Sequence, residues 1–216
     1  MQLAEVVARL REVPDPLPEP SRAIDAIVIG QVGSMPPWVR RGGAASTRRA
    51  AALVLLFPDD DGEAHLVLTE RPAGDLRHAG QISLPGGAAD PGDDFPIGTA
   101  LREAQEEVGF EGDADVLMTL DVVDVRVSGF LLTPVVGVTS VAPALTPDPR
   151  EVASIVLAPV AAFLPDAPVE TVEAERDGYR LRYGGYRIGG HHVWGATARV
   201  LGQLGAILGS APAGTP

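Results

Sequence analysis

The chain of 216 residues has no cysteine, which excludes disulfides, thiol catalysis and Cys-ligated zinc. It has no lysine either: all 17 basic side chains are arginine, the better bidentate ligand for phosphate. Positive charge is scarce against 29 acidic residues, and the formal net charge is −12. That balance argues against a general nucleic-acid or anionic-membrane binder, because a phosphate backbone would be repelled at long range. An acidic protein that handles phosphate must neutralise it locally, with arginines or with metal ions. Long apolar runs are lacking as well. The longest, residues 50–57, is far short of the roughly 20 residues that span a bilayer. The N-terminal MQLAEVVARLREV is charged and amphipathic, without the apolar core of a signal peptide. The default expectation is a cytoplasmic protein with no membrane and no nucleic-acid partner.

What is present suits one domain with a sizeable core, since 45% of the residues are hydrophobic and 21% charged. Leu3, Val6, Val7 and Leu10 have helical spacing, and the prolines from Pro14 to Pro20 then break regular structure. Residues 1–48 therefore read as an N-terminal helix and an extended lead-in, residues 49–210 as the domain, and residues 211–216 as a disordered tail. Residues 50–57 read as a buried central strand in a hairpin with residues 64–70. A short strand is expected at 81–84, a helix at 96–108 ended by Gly109, two or three strands over 115–139, and another at 152–158. A brief helix near 159–163, a Tyr/Arg-rich hairpin at 178–188 and a helix at 195–208 complete the chain. The fold class is α/β, a mixed sheet with helices on both faces.

The helix at 96–108 carries the chemistry. Ala100, Leu101, Ala104 and Val108 share its apolar side, while Glu103, Glu106 and Glu107 crowd another. Like charges at this spacing destabilise by about 0.2–0.5 kcal/mol a pair, and the nearby helix C-terminus disfavours anions further. A solvated acidic face would tolerate that cost. A bound divalent hard cation would remove it, with Mg²⁺ the first choice.

The surrounding pattern resembles the Nudix box. Gly87 is followed by five residues and Asp93, then after eight more by Arg102-Glu103-Ala104-Gln105-Glu106-Glu107-Val108-Gly109-Phe110. The right half matches the family form; Asp93 replaces its first Glu, and one extra residue precedes Arg102. The resemblance implies a Nudix fold over residues 49–210 and a pyrophosphohydrolase dependent on Mg²⁺ or Mn²⁺. It implies Glu103, Glu107, Glu106 and the Gly87 carbonyl as metal ligands. Glu103, Glu106 and Arg102 are the implied catalytic residues, with Arg102 orienting a glutamate. Which glutamate acts as base stays open. Glu151 is an outside candidate, although a charged residue at the start of a strand explains it more simply.

Upstream, Val67-Leu68-Thr69-Glu70-Arg71 and Arg77-His78-Ala79-Gly80-Gln81-Ile82-Ser83-Leu84-Pro85-Gly86-Gly87 resemble the signature of coenzyme A pyrophosphatases. So does Trp194-Gly195-Ala196-Thr197-Ala198 near the C-terminus. Pro72, Leu76 and Leu84 depart from that signature, with Arg77 one residue beyond its usual arginine. The likeness implies coenzyme A or acyl-CoA as substrate, cut to 3′,5′-ADP and (acyl-)4′-phosphopantetheine, with Arg71, Arg77, Gly80 and Gln81 as substrate-binding residues. ADP-ribose or an oxidised nucleotide is the alternative substrate, and a non-catalytic binding module the alternative class. His78 fits a phosphate contact or a cap equally; Trp194 reads as core packing before an adenine platform; His191 and His192 cannot form a metal pair on one strand, since neighbours point to opposite faces. A homodimer is left open.

Overall fold

A strand buried on both faces must be apolar at every position, and residues 50–57 meet that requirement. In the computed structural model, which describes residues 1–31, 47–73, 80–126, 128–176 and 178–210, they form most of β2 (Arg48–Pro58). β2 pairs in parallel with β8 (Phe130–Val138), from Arg48 opposite Phe130 to Leu56 opposite Val138. Its other edge is divided. The C-terminal end pairs with β3 (Ala64–Glu70), giving the expected hairpin, and the N-terminal half pairs with β5 (Gly86–Ala88). β3 pairs in turn with β9 (Ser154–Pro159) and, at its end, with β4 (Ile82–Ser83). The outer edge of β8 carries β6 (Asp115–Thr119) and β7 (Val123–Val125), completing an eight-stranded mixed sheet.

Alternation along β2 builds two cores. Ala51, Leu53, Leu55 and Phe57 pack against Ala100, Ala104 and Val108 of α2 (Ile97–Val108). Ala52, Val54 and Leu56 pack on the opposite face, with α1 (Leu3–Arg11) and α3 (Gly195–Gly209). Val6 and Leu10 of α1 and Leu201, Leu204 and Leu208 of α3 supply that layer. Helices thus cover both faces of the mixed sheet, as the periodicity indicated. Among the described residues no helix is long and apolar enough to cross a membrane.

A second sheet was not legible in the sequence. β11 (Tyr179–Ile188) is its central strand, with β10 (Glu170–Arg176) along one edge. β1 (Ile27–Gln31) and β12 (His191–Trp194) share the other edge. The hairpin expected at 178–188 is therefore one uninterrupted strand. Gly184 and Gly185 suggest a turn, yet both lie mid-strand at close crossings of the main chain: a Cβ on Gly184 would fall 2.0 Å from the Ala23 carbonyl oxygen. β10 is too acidic to read as a strand; its glutamates are neutralised across the ladder, with Arg182 on Glu173 at 2.7 Å. β1 falls inside the stretch expected to be irregular. Residues 32–46 of the lead-in and the expected tail at 211–216 lie outside the described residues.

Replacing Gly184 by Ala tests the crossing. Easing the backbone entropy of glycine contributes about 0.5–1 kcal/mol, but a methyl group forced onto a carbonyl costs about 1–3 kcal/mol. The clash wins, so Gly184→Ala should lower the urea midpoint; an unchanged or higher midpoint would mean that the crossing is not tight.

Candidate active site

The site is built where β5 meets β2 and α2 passes over both. Gly86 pairs with Ala52 and Gly87 with Ala51. A Cβ on Gly86 would lie 2.5 Å from the Ala51 carbonyl oxygen, and one on Gly87 would lie 2.5 Å from Oε2 of Glu103. Only hydrogen fits at either position. That space lets the Glu103 carboxylate rest on the Gly87 main chain, while the Gly86 N–H donates to Oε2 of Glu107 at 3.3 Å. Glu103 and Glu107, one helical turn apart, both reach the Gly86–Gly87 turn, and Glu107 is only 5% exposed.

Glu106 stands apart from them, half-exposed and paired with Arg102 at 2.9 Å. Arg102 ties the site together. Its guanidinium donates to Glu106, to Oε1 of Glu103 at 3.0 Å, to the Ala88 carbonyl at 2.9 Å and to both oxygens of Asp93. Asp93 also accepts from the Thr99 hydroxyl at 2.8 Å and from the Asp90 N–H. Hydrogen bonds from Arg102 first, then from the Asp90 N–H and Thr99, hold the Asp93 carboxyl down at about 2. Hydrogen bonds to Asp93 first, then to Glu106 and Glu103, push the arginine up against its burial. Asp93 is thus the anchor that aims Arg102. Thr99, which donates to Asp93, and Ala88, whose carbonyl accepts from Arg102, carried no sign in the sequence.

Electrostatics separate the two inner glutamates from ordinary carboxylates. Burial pushes Glu107 up to about 7; the Gly86 N–H and the nearby Arg71 oppose the shift, and Glu103 and Glu151 add to it. Burial also raises Glu103, against Arg102 and with help from Glu106 and Glu151. Glu151, exposed in the turn before β9, is therefore close enough to act on both inner carboxylates. The loop that carries it is hooked to the end of α2, where the Asp148 N–H donates to the Glu107 carbonyl at 2.9 Å.

The other residues singled out in the sequence fall at the edges. Arg71 follows β3, and its main chain pairs with Gln81 and Gly80, at 3.0 and 3.1 Å. Arg77 and His78 lie outside the described residues. His191 and His192 do diverge: His191 lies 3.9 Å from Glu70, while His192 and Trp194 flank the Tyr183 ring. The charged pair Arg48-Arg49 that precedes the apolar run stands exposed at the start of β2. Arg49 lies over the Phe95 ring, 4.6 Å from its centroid, and Arg48 lies over Phe130 at 4.1 Å.

Among the described residues no three carboxylate or imidazole side chains form a ready-made metal cage. The donor chemistry nevertheless suits a hard divalent cation: Glu103 and Glu107 are oxygen donors raised first by burial and further by neighbouring carboxylates, at one main-chain turn. A carboxyl whose pKa rises from 4.5 to about 7 on folding binds its proton more tightly when folded. The contribution of Glu107 to stability is then full below pH 4.5 and is lost as the pH rises through about 7, by about 3 kcal/mol in all. Thermal melts of the metal-free protein should show this decline, and Glu107→Gln should flatten it. Mg²⁺ should restore the wild type above pH 7 and leave the variant unmoved. Parallel pH profiles for the two proteins would refute the assignment.

The NUDIX domain family matches residues 47–175, which include the whole of this site. A relative in Photorhabdus laumondii, called an uncharacterized Nudix hydrolase NudL, is 39% identical over 140 residues, covering 64% of this chain and 74% of that protein. A protein of the same description in Cronobacter sakazakii is 38% identical over 153 residues, covering 69% and 78%. Among solved structures, the Nudix hydrolase RenU of M. smegmatis aligns over 53% of this chain and 72% of its own, at 24% identity and a TM-score of 0.46. With its box folded into one carboxylate-bearing turn and helix, the chain belongs to the Nudix hydrolases.

Proposed function

We propose that this Nudix hydrolase, an enzyme of nucleoside diphosphate derivatives, cleaves the diphosphate of coenzyme A or acyl-CoA to 3′,5′-ADP and (acyl-)4′-phosphopantetheine. The observation that carries the reading is how Arg71 is joined to the segment that leads into Gly87. Its main chain bonds with Gln81 and Gly80, and Arg71 reaches the field of Glu107. The segment that resembles the coenzyme A signature is thereby attached directly to the carboxylate turn.

Nudix hydrolases generally need a divalent cation. Here Glu103, Glu107 and the Gly87 carbonyl would hold Mg²⁺ or Mn²⁺, with Glu106 as a further ligand on the solvent side. Such an ion binds diphosphate oxygens, offsets the charge that builds at phosphorus and lowers the pKa of the attacking water. The remaining work falls to the chain. Arg102 keeps Glu103 and Glu106 from turning away, a job that Asp93 makes rigid from behind. Arg71, exposed on the side of Glu107, supplies a guanidinium for a phosphate oxygen. Burial raises the basicity of Glu103, which ranks it as proton acceptor ahead of the solvent-facing Glu106.

Hydrolysis of coenzyme A, acetyl-CoA, ADP-ribose, NADH and 8-oxo-dGTP with Mg²⁺ or Mn²⁺ tests the substrate. Coenzyme A or its thioester should show the highest kcat/KM; preference for ADP-ribose would overturn the assignment. Glu107→Gln should lower kcat by about a hundredfold or more while the protein stays folded. Wild-type turnover in that variant would remove Glu107 from the metal site.

A further inference from the structure

We infer that Arg49 binds a phosphate monoester of the substrate, one separate from the diphosphate that is cut; the inference rests on the coenzyme A reading above. Most arginines with described side chains are already spent on carboxylates, as a net charge of −12 makes easy. Arg49 is not. It forms no ion pair with any described carboxylate, stays exposed, and rests instead on the Phe95 ring. Stacking on an aromatic face fixes the plane of the guanidinium and leaves its edge N–H donors free, which is how arginine is prepared for a phosphate.

Its location gives the choice of phosphate. Ala51, Leu53, Leu55 and Phe57 face α2, and Arg49 continues the same side of β2. Ala51 is paired with Gly87, whose surface carries the Glu103 carboxylate. Two residues along a strand span about 6–7 Å, so Arg49 leaves the sheet roughly one phosphate-to-sugar distance beyond the catalytic turn. The Ala89 N–H donates to the Arg49 carbonyl at 3.0 Å, which ties this position to the Nudix loop itself. The diphosphate belongs over Glu103 and Glu107, with Arg71 on the Glu107 side. A further anionic group on the same substrate falls to Arg49.

The neighbouring residue provides an internal control. Arg48 has the same charge, the same exposure and the same kind of stacking, over Phe130, but points to the opposite face of the sheet, away from α2. Loss of a positive charge near the site is common to both arginines; access to the substrate belongs to Arg49 alone.

The test is calorimetric binding of adenosine 3′,5′-bisphosphate and of 5′-AMP to the full chain with Mg²⁺, ligands that differ by one phosphate monoester. The wild type and Arg48→Met should prefer the bisphosphate by about tenfold or more, the scale of one charge-assisted hydrogen-bond pair. Arg49→Met should bring the two affinities together by weakening only the bisphosphate, and Arg49→Lys should recover part of the preference. The inference is overturned if the wild type shows no preference, if Arg49→Met keeps it, or if that variant weakens both ligands equally. Failure of the coenzyme A reading looks different: coenzyme A is not turned over, while the preference and its dependence on Arg49 persist.

Discussion

Everything at the catalytic end depends on two main chains passing too close for a side chain between them. Gly86 and Gly87 lie against Ala51 and Ala52 of β2, and the carboxylate of Glu103 takes the place a Cβ on Gly87 would fill. Because β2 is buried on both faces, it cannot shift to relieve pressure there. The turn is thus fixed to a strand buried from Ala50 to Phe57, and α2 is pressed onto it by Ala100, Ala104 and Val108. The glutamates inherit their precision from the packing beneath them.

That arrangement explains why a protein rich in acid can afford three crowded glutamates. Arg102 answers two of them and is itself held by Asp93, so repulsion along the helix becomes a closed network on its outer side. Glu107 is left without an ion pair in that network and in nearly dry surroundings. A carboxyl in such a position keeps its proton to unusually high pH unless a cation replaces it, and metal affinity should therefore weaken as the medium is acidified.

The legible parts of the structure were those in which a local pattern has one physical reading. The run at 50–57, the apolar stripe Ala100, Ala104, Val108 and the carboxylates one turn apart gave the central strand, the helix packed on it and its carboxylate-bearing face. What escaped was set by distant partners. β10 is acidic along its length and becomes a strand only because arginines of β11 lie opposite. Gly184 and Gly185 look like a turn unless the crossing of Ala23 and Val193 is known. At the site, Asp93 read as a departure from the box, and three dimensions make it the anchor of Arg102. Arg49 belongs to a charged pair flanking a strand, and nothing local to it announces the ring of Phe95.

The parallel pairing of β2 with β8 has a bearing on how the enzyme comes into being. Arg48 and Phe130 are neighbours in space but about eighty residues apart in the chain, and such closures are slow to form. On the ribosome the box would emerge complete, glutamates and all, before the strand that must brace its platform. A nascent chain halted between the two would carry Glu103, Glu106 and Glu107 beside a β2 whose parallel partner is still missing. The carboxylate turn is therefore fully braced only when β8 docks.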